Sequence, residues 1–568
     1  MKNLLRKMPY LFCFVLLNLA DFIVFTCNGD AKSVAANIPI LVLLTIIAAE
    51  YPLQVFRNFY TLFCTLVGGV ILATVIIVHH NRYFNMYAPG FALMIVVVWG
   101  ICCLAKVVLL SWIKNKTNIR RVPAEAWIWF AMAVFMTLSR GGSLWQIIYL
   151  VTFGMFFLTK FSPEKRVLLI EGMINGTILF FFLLQVYAYG FRPYDEVRYK
   201  GAYSNCNINA LHYLTVYLMI LFKLHILQQR KTKSGWKLFY FVGAGGLMGF
   251  LLMTMGRTAW MVAAFITVCY GIFVMHGIRK EKWAGIIVRG VCLFLLFLLL
   301  FPVVFGTVRW IPTILHHPVW YEGEYAEWRV MSWDPADSEK YVDMDEFLEI
   351  LLGRIGGTVH LGFRQGSPVQ NSEDLKQVLL KQSLLNTKQI MKLHDVIPAY
   401  LTAGVLVGEF QEKLHKYNIP LSMTAGFDME KEVAMEGHEG MDESLRYRLT
   451  ITKSYLSDLR FLGHKQTEGH FHVKGTDYTI WHAQNIWLQM AYYYGIPAGI
   501  LFIVLTYFLL RRGAILLQSG ENREFCIIPL FVTIVFFLFG SMEIVWLNGQ
   551  FALFLIYFVQ WPEIGNKE

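Results

Sequence analysis

Two arginines and one histidine stand out in this sequence because each lies where an apolar segment begins or ends. Arg257 follows Thr254-Met-Gly in a turn so short that it lies between two apolar runs, and Arg198 precedes another such run. A guanidinium stays charged in proteins, and its planar fork of donors matches the oxygens of a phosphate. His482 lies where a long polar segment returns to an apolar run, and a neutral imidazole can accept a proton near neutral pH. These residue types favour phosphate binding and proton transfer. The simpler alternatives are an arginine that reaches lipid headgroups and a histidine in an interfacial aromatic belt.

Amide side chains cluster just after Arg198, in the segment Asn205-Cys-Asn207-Ile-Asn209. Beside the flexible Gly201 they offer hydrogen-bond donors and acceptors to a polar ligand. The alternative is an ordinary helix start, because asparagine is a favoured N-cap residue.

Three further residues near short turns are candidate contacts to a substrate. Arg140 lies in Ser139-Arg-Gly-Gly142, a pattern that mainly indicates a turn. Gln484 and Asn485 follow His482 closely and add two more amides.

The sequence predicts no metal site. Glu468, His470 and His472 are spaced to bind a metal, but without a further clustered ligand they favour a solvated loop. The nine cysteines lie mainly in apolar runs and form no Cys-x-x-Cys, which excludes a disulfide scaffold and a zinc module. Asp21 and Glu543 lie within apolar segments, where carboxylates serve as proton relays or, more often, pair inside a helix bundle.

The composition indicates whether the chain lies in water or in a lipid bilayer. Of the 568 residues, 56% are hydrophobic and only 16% are charged, whereas a soluble chain carries about 25% charged residues. This balance excludes a soluble globular protein, a disordered chain, a coiled coil and a nucleic-acid-binding domain. The lipid bilayer is therefore the expected partner of most of the chain.

Apolar segments long enough to cross a bilayer predict an all-α polytopic membrane protein. We count about fourteen, with an uncertainty of two, near residues 9–27, 36–52, 60–79, 90–113, 124–139, 144–160, 167–189, 209–228, 238–256, 258–276, 286–306, 486–510, 525–546 and 547–561.

The orientation follows from the positive-inside rule. Alternate loops are basic if the N-terminus is cytoplasmic, and the strongest are 114–121, 160–166, 230–237, 279–282 and 511–512. We therefore expect a multi-pass protein of the cytoplasmic membrane with both termini inside. This orientation places Arg140, Arg198, Arg257 and His482 on the outer face.

Residues 307–484 form a hydrophilic insert that the same rule places outside. The insert holds 25 of the 39 acidic residues and 18 of the 50 basic ones, so the positive charge belongs to the membrane part. Apolar spacing predicts a mostly helical insert, with helices over 374–393 and 442–462. The expected domains are 1–189, 190–306 with the two arginine motifs, 307–484, and 485–568.

The order of these motifs resembles the O-antigen ligase and O-antigen polymerase family of bacterial membrane glycosyltransferases. The matching residues are Arg198, Gly201, Tyr203, Asn205-Cys206-Asn207 and Ala210; Thr254-Met-Gly256-Arg257-Thr-Ala259; and His482-Ala-Gln484-Asn485-Ile-Trp487-Leu488 with Gly495-Ile-Pro-Ala-Gly499. The match covers roughly residues 190–510. Cys206 replaces a proline of the family pattern, Gly256 replaces a serine, and Gln484 stands where many relatives have histidine.

The resemblance implies a fold similar to the glycosyltransferase C superfamily and a donor glycan on undecaprenyl pyrophosphate. Arg198 and Arg257 would clamp the pyrophosphate, and His482 would deprotonate or orient the acceptor hydroxyl. Asn205, Asn207, Gln484, Asn485 and Arg140 would bind substrate. The reaction would invert the anomeric carbon and need no cofactor or metal, because two arginines replace a divalent cation.

Two questions stay open at this stage. The acceptor is another glycan or lipid-linked glycan, and no residue separates a polymerase from a ligase, although we slightly favour a polymerase of capsular or exopolysaccharide repeats. The alternative outside the family is a transporter or flippase of lipid-linked oligosaccharide, for which the number of spans is equally suitable.

Overall fold

The computed structural model describes most of the membrane part of the chain and short pieces of the insert. The described residues are 2–27, 30–51, 58–81, 88–114, 124–140, 144–159, 161–189, 194–195, 198–203, 205–314, 319–322, 329–332, 344, 347–348, 350–353, 431–433, 443–465, 471–474, 479–480, 482–519 and 524–542.

Helices account for most of these residues, because backbone groups in an apolar solvent must be satisfied within the same segment. The first seven are α1 (Lys2–Thr26), α2 (Asp30–Glu50), α3 (Phe59–Asn81), α4 (Ala88–Lys114), α5 (Ala124–Leu138), α6 (Leu144–Leu158) and α7 (Pro163–Tyr189). The next four are α8 (Cys206–Gln229), α9 (Ser234–Met253), α10 (Arg257–Cys269), which continues as a π-helix (Tyr270–Ile278), and α11 (Trp283–Ile314). The last four are α12 (Glu443–Ser457), α13 (Ile486–Tyr494), α14 (Ile496–Ser519) and α15 (Ile528–Gly540).

Eight of the described helical segments are long and apolar enough to cross a membrane, and five shorter apolar helices accompany them. The chain is therefore a mainly helical protein with the character of a multi-pass membrane protein. The helices coincide with the predicted segments through the eleventh and again at the thirteenth. The fourteenth predicted segment, 547–561, and Glu543 lie outside the described residues.

The twelfth predicted segment, 486–510, is not one helix. It divides at Gly495 into α13 and α14, and contacts between them show that the two helices are antiparallel. The indole Nε1 of Trp487, early in α13, donates to the hydroxyl of Thr506 at 3.0 Å, and Ala491 lies against Gly499. Hydropathy failed here because both helices are apolar, so composition does not record the change of direction.

The turn between α13 and α14 needs glycine for two reasons. Gly495 has φ +95°, a left-handed conformation that side chains rarely adopt, and a Cβ there would overlap the carbonyl oxygen of Phe461. Gly499 lies one turn later, where a Cβ would be 2.5 Å from that of Ala491. The two glycines of the Gly-x-x-x-Gly segment therefore permit a tight helical hairpin.

The helices pack in two connected groups. α7 lies between α1 and α8, and α9 packs against both α8 and α11. α14 lies between α5 and α15, and α15 in turn contacts α8 and α10. α15 therefore links the C-terminal hairpin to the helices that carry the arginine motifs.

The ends of these helices opposite the arginine motifs are joined by ion pairs. The carboxylate of Glu171 in α7 accepts from Lys7 of α1 at 2.5 Å and from Arg230 at 2.7 Å. Arg230 also pairs with Glu524 at 2.8 Å. Four segments that the charge rule assigns to one side of the membrane thus meet at one end of the bundle.

The described part of the insert and the segment before α8 contain short strands, which the prediction of a mostly helical insert did not include. β1 (Tyr194–Asp195), β2 (Arg198–Tyr199), β3 (Val319–Glu322) and β4 (Arg329–Ser332) form a sheet in the order β2-β1-β3-β4, and β5 (Lys431–Val433), β6 (Phe471–Val473) and β7 (Thr479–Ile480) form a second. Strands of two to four residues are too short to produce a recognisable alternation.

Other expectations for the insert divide between described and undescribed residues. α12 lies within the predicted helix 442–462, whereas 374–393, Glu468 and His470 lie outside the described residues. The contacts group 1–347 with 431–568 and set 348–430 apart as a second unit, of which residues 348 and 350–353 are described.

Candidate functional site

The first arginine lies on a strand, which fixes its backbone ahead of α8. β2 pairs with β1 in an antiparallel hairpin in which Asp195 faces Arg198 and Tyr194 faces Tyr199. Tyr194 also pairs with Tyr321 of β3, so the start of the insert belongs to the same sheet.

The guanidinium of Arg198 is held by two hydrogen bonds. Its Nε donates to the backbone carbonyl of Thr254 at 2.9 Å, and its Nη2 donates to Oδ1 of Asn207 at 2.6 Å. Thr254 opens the turn that carries Arg257, so two of the predicted motifs are in direct contact.

The amides after Arg198 shape the start of α8 and its contacts. Asn205 is the N-cap residue, and its Oδ1 accepts from the backbone N–H of Asn207 at 2.7 Å. Asn205 therefore caps α8, and the side chain of Asn207 binds an arginine. Asn209 is buried under the β2 segment, with its amide against Gly201 and its Nδ2 3.4 Å from the carbonyl oxygen of Tyr199.

The turn between α9 and α10 is tight and strained. Met255 has φ +50°, and a residue with a Cβ rarely adopts this left-handed conformation. The hydroxyl of Thr254 donates to the carbonyl of Leu251 at 2.7 Å and accepts from the N–H of Gly256 at 3.2 Å. A Cβ on Gly256 would lie 3.0 Å from the Cβ of Ala210, so glycine allows the turn to approach α8.

Arg257 is the first residue of α10 and is partly buried. The N-terminus of a helix presents backbone N–H groups and the positive end of the helix dipole. The side chain of Arg257 and the start of its own helix therefore both favour an anion.

His482 lies in the turn that leads into α13. Burial lowers the pKa of His482 from its usual 6.5 to about 4, so the imidazole is neutral near pH 7. Its Nδ1 is buried and has no hydrogen-bond partner among the described residues. A neutral imidazole of this kind can accept a proton.

The residues after His482 fix the turn. Gln484 has φ +47°, a second left-handed conformation in a residue with a Cβ. Asn485 is the N-cap of α13, with Oδ1 accepting from the N–H groups of Trp487 at 3.1 Å and Leu488 at 3.0 Å. Its Nδ2 donates to the carbonyl of Ser541 at 3.3 Å, just beyond α15.

The helix directions place this turn at the same end of the bundle as the arginines. Just after α10, the ring of Tyr270 contacts Phe531 near the start of α15, with ring centroids 6.4 Å apart, and α15 packs along α10. The end of α15, which Asn485 contacts, therefore lies towards the start of α10, where Arg257 is found. We call this end of the helices the motif end.

The hairpin also sets the position of the first turn of α13 along the bundle. Because α13 is antiparallel to α14, its first turn lies beside Thr506, about 15 Å along α14 from the start of that helix at 1.5 Å per residue. The first turn of α13, which follows the His482 turn, therefore lies alongside α14 and not beyond its first residue.

Arg140 is not part of this arrangement of side chains. Its backbone N–H donates to the carbonyl of Leu462 at 2.9 Å, and its side chain is exposed. The neighbouring Gly463 lies against Tyr493 and Gly495. Arg140 is thus at the turn of the hairpin, about 14 Å along α13 from Asn485.

Two groups of residues at the motif end leave no motif in the sequence. The hydroxyl of Tyr213 donates to Gln185 at 3.0 Å, and Gln185 donates to the hydroxyl of the buried Tyr199 at 3.2 Å. Because Tyr199 belongs to β2, these bonds connect β2 to α7 and α8. Gln489 contacts the His482 turn through the backbone N–H of Ala483. The one sign of these contacts in the sequence is that Gln185 and Gln489 are polar residues within apolar runs.

The described residues include no group of three or more His, Cys, Asp or Glu side chains that could hold a metal ion. No family model, curated protein or solved structure matches this chain.

Proposed function

We propose that this protein is a membrane glycosyltransferase that moves a glycan from polyprenyl pyrophosphate to an acceptor hydroxyl. The observation that carries the proposal is the hydrogen bond from Arg198 to Thr254, which unites the two arginine motifs at the end of the bundle where His482 also lies. The class of enzyme comes from the resemblance to the O-antigen ligase and polymerase family.

The arginines would bind the diphosphate of the donor. The two hydrogen bonds of Arg198 use two of the five N–H donors of a guanidinium. They also fix its plane beside the start of α10, where Arg257 and the helix N-terminus favour negative charge. As the bond to the sugar breaks, fixed donors stabilise the charge that develops on the leaving pyrophosphate.

His482 would act as the general base. The acceptor oxygen attacks the anomeric carbon while the bond from that carbon to the phosphate oxygen breaks. The bonding electrons leave with the pyrophosphate, and the hydroxyl proton passes to the imidazole. Attack opposite the leaving group inverts the anomeric configuration.

The amides would contribute in different ways. Asn207 holds Arg198, and Asn205 and Asn485 hold the backbone at the starts of two helices, so their role is to orient the site. Gln484 follows His482 by two residues and would contact the glycan. Arg140 would contact the glycan away from the reacting bond.

The location of the reaction follows from the charge rule. The motif end is the side that lacks the basic loops and carries the acidic insert, so we place it outside the cytoplasmic membrane. A lipid-linked glycan presented there requires no nucleotide, and two arginines supply the charge that a metal would supply.

A comparison of surface glycans with and without the protein tests the proposal. Single repeat units in place of long chains would identify a polymerase, and full-length chains left on the carrier lipid would identify a ligase. Arg257→Ala and His482→Ala are expected to abolish transfer by purified protein that remains folded. Transport of the lipid-linked glycan without transfer, or full activity of both variants, would refute the proposal.

A further inference from the structure

The turn that carries His482 is held from inside α13 by one buried side chain. The Oε1 of Gln489 accepts a hydrogen bond from the backbone N–H of Ala483 at 2.6 Å. Both residues are buried, with Ala483 1% and Gln489 3% exposed. The contact spans six residues, so the side chain reaches back from the second turn of α13 to the residue before Gln484.

This hydrogen bond fixes the peptide that joins His482 to Ala483. Gln484 occupies a left-handed conformation, which costs free energy in a residue with a Cβ and persists only where neighbours enforce it. The N-cap bonds of Asn485 fix the turn on one side of Gln484, and Gln489 fixes it on the other. The position of the His482 backbone is therefore set by two anchors.

The hydrogen bond from the Ala483 N–H to Gln489 is strong because both residues are buried and water does not compete for it. A backbone N–H that is buried without an acceptor is destabilising, so Ala483 depends on Gln489 as long as this turn persists. Removing the acceptor releases the peptide next to His482 without changing the imidazole itself.

We infer that Gln489 is a positioning residue for His482, acting through the N–H of Ala483. The inference rests on the proposed glycosyl transfer, in which the imidazole must meet the acceptor hydroxyl with defined geometry. Small misplacements of a catalytic group reduce the rate while leaving substrate binding largely intact.

The test compares three variants of the full-length protein in detergent or vesicles. Gln489→Met keeps the length of the side chain and removes the oxygen. Gln489→Glu keeps an oxygen at the same position. Thr506→Val is the matched control, because it removes one hydrogen bond from the same hairpin at Trp487 and leaves the His482 turn unchanged.

We expect Gln489→Met to lower kcat by about tenfold to 100-fold with little change in KM for a lipid-linked donor. Gln489→Glu should recover part of the lost kcat, because burial favours the neutral carboxyl, which keeps an oxygen acceptor at this position. Thr506→Val should keep the wild-type value. A second readout needs no activity: the rate at which diethyl pyrocarbonate modifies His482, measured by peptide mass mapping, should rise in Gln489→Met only.

Wild-type kcat and wild-type labelling of His482 in Gln489→Met would overturn the inference. Failure of the proposed function gives a different result. If wild-type protein transfers no glycan but the labelling of His482 still depends on Gln489, the glycosyltransferase assignment is wrong and the anchoring of the turn is correct.

Discussion

Arg198 donates a hydrogen bond from Nε to the backbone carbonyl of Thr254, 56 residues further along the chain. The bond joins a strand before α8 to the turn before α10, and the same guanidinium also binds Asn207. A lysine could supply the charge but not this pair of directed bonds.

We therefore expect Arg198→Lys to reduce transfer by about 100-fold or more while the protein remains folded, because the fork orients the positive charge towards the leaving group. The measurement is kcat/KM with a lipid-linked donor. Arg289→Lys, at a partly exposed pair with Glu281 on the basic side, is the matched control. Equal activity of Arg198→Lys and wild type would remove Arg198 from the proposed clamp.

Gly256 should be intolerant of larger side chains because of its distance to α8. A Cβ there would lie 3.0 Å from the Cβ of Ala210 and 3.3 Å from the hydroxyl oxygen of Thr254. Gly256→Val is expected to destabilise the protein by about 1–3 kcal/mol through overpacking, which thermal unfolding in detergent would detect. Ala210→Gly in the same chain should restore part of the stability, and the absence of any such coupling would contradict the close approach.

The hairpin of α13 and α14 predicts a contrast between two glycines. Gly499→Ala should lower the unfolding temperature, because its Cβ would be 2.5 Å from that of Ala491 and 2.9 Å from its Cα. Gly246→Ala in α9 is the control, since no described atom lies within 4 Å of a Cβ at that position. It should be neutral or stabilising by up to about 1 kcal/mol. Equal behaviour of the two variants would argue against the antiparallel contact.

The pH dependence of activity should reflect the burial of His482. Because its pKa is about 4, the base is unprotonated over most of the acidic range, and the acid limb of kcat/KM should fall near pH 4. A bound diphosphate would raise this pKa, so the acid limb of kcat should lie at higher pH. A kcat/KM limb near pH 6.5 would show that the imidazole is solvated in the free protein.

The same group contributes to stability with a defined sign. Its pKa in the folded protein is below the unfolded value of 6.5, so the unfolded chain binds more protons between about pH 4 and pH 6.5. The contribution of His482 to the free energy of unfolding therefore decreases as the pH falls through this window and is constant above it. His482→Gln should weaken this dependence in thermal unfolding experiments.

The sequence predicted a mainly helical chain with apolar helices because length and apolar composition are what a bilayer requires of a helix. Eight of the described helices meet that requirement. It did not predict the reversal at Gly495, since an apolar run of two antiparallel helices has the same composition as one long helix. It singled out Arg198 and Arg257 as a pair but not the hydrogen bond that joins their segments, because the acceptor is the main-chain carbonyl of Thr254 and any residue type can supply that group.

The amide side chains show that residue type alone does not reveal which group a side chain binds. Asn205 and Asn485 were expected to contact substrate, and in the structure each caps a helix with its side-chain oxygen. Gln489 was absent from the predicted residues because a polar side chain in an apolar helix gives no indication of which backbone group it reaches.

Met255 and Gln484 share a feature with a consequence for laboratory evolution. Both adopt left-handed backbone angles, one in the Arg257 turn and one beside His482, at a cost of about 1–2 kcal/mol each that glycine would avoid. A library screened only for heat resistance should accumulate glycine at these two positions early. Variants recovered from such a screen should outlast their parent on heating. Under the proposed glycosyl transfer they should also turn over more slowly, because glycine widens the range of conformations open to both loops and so holds the arginine and the histidine less firmly.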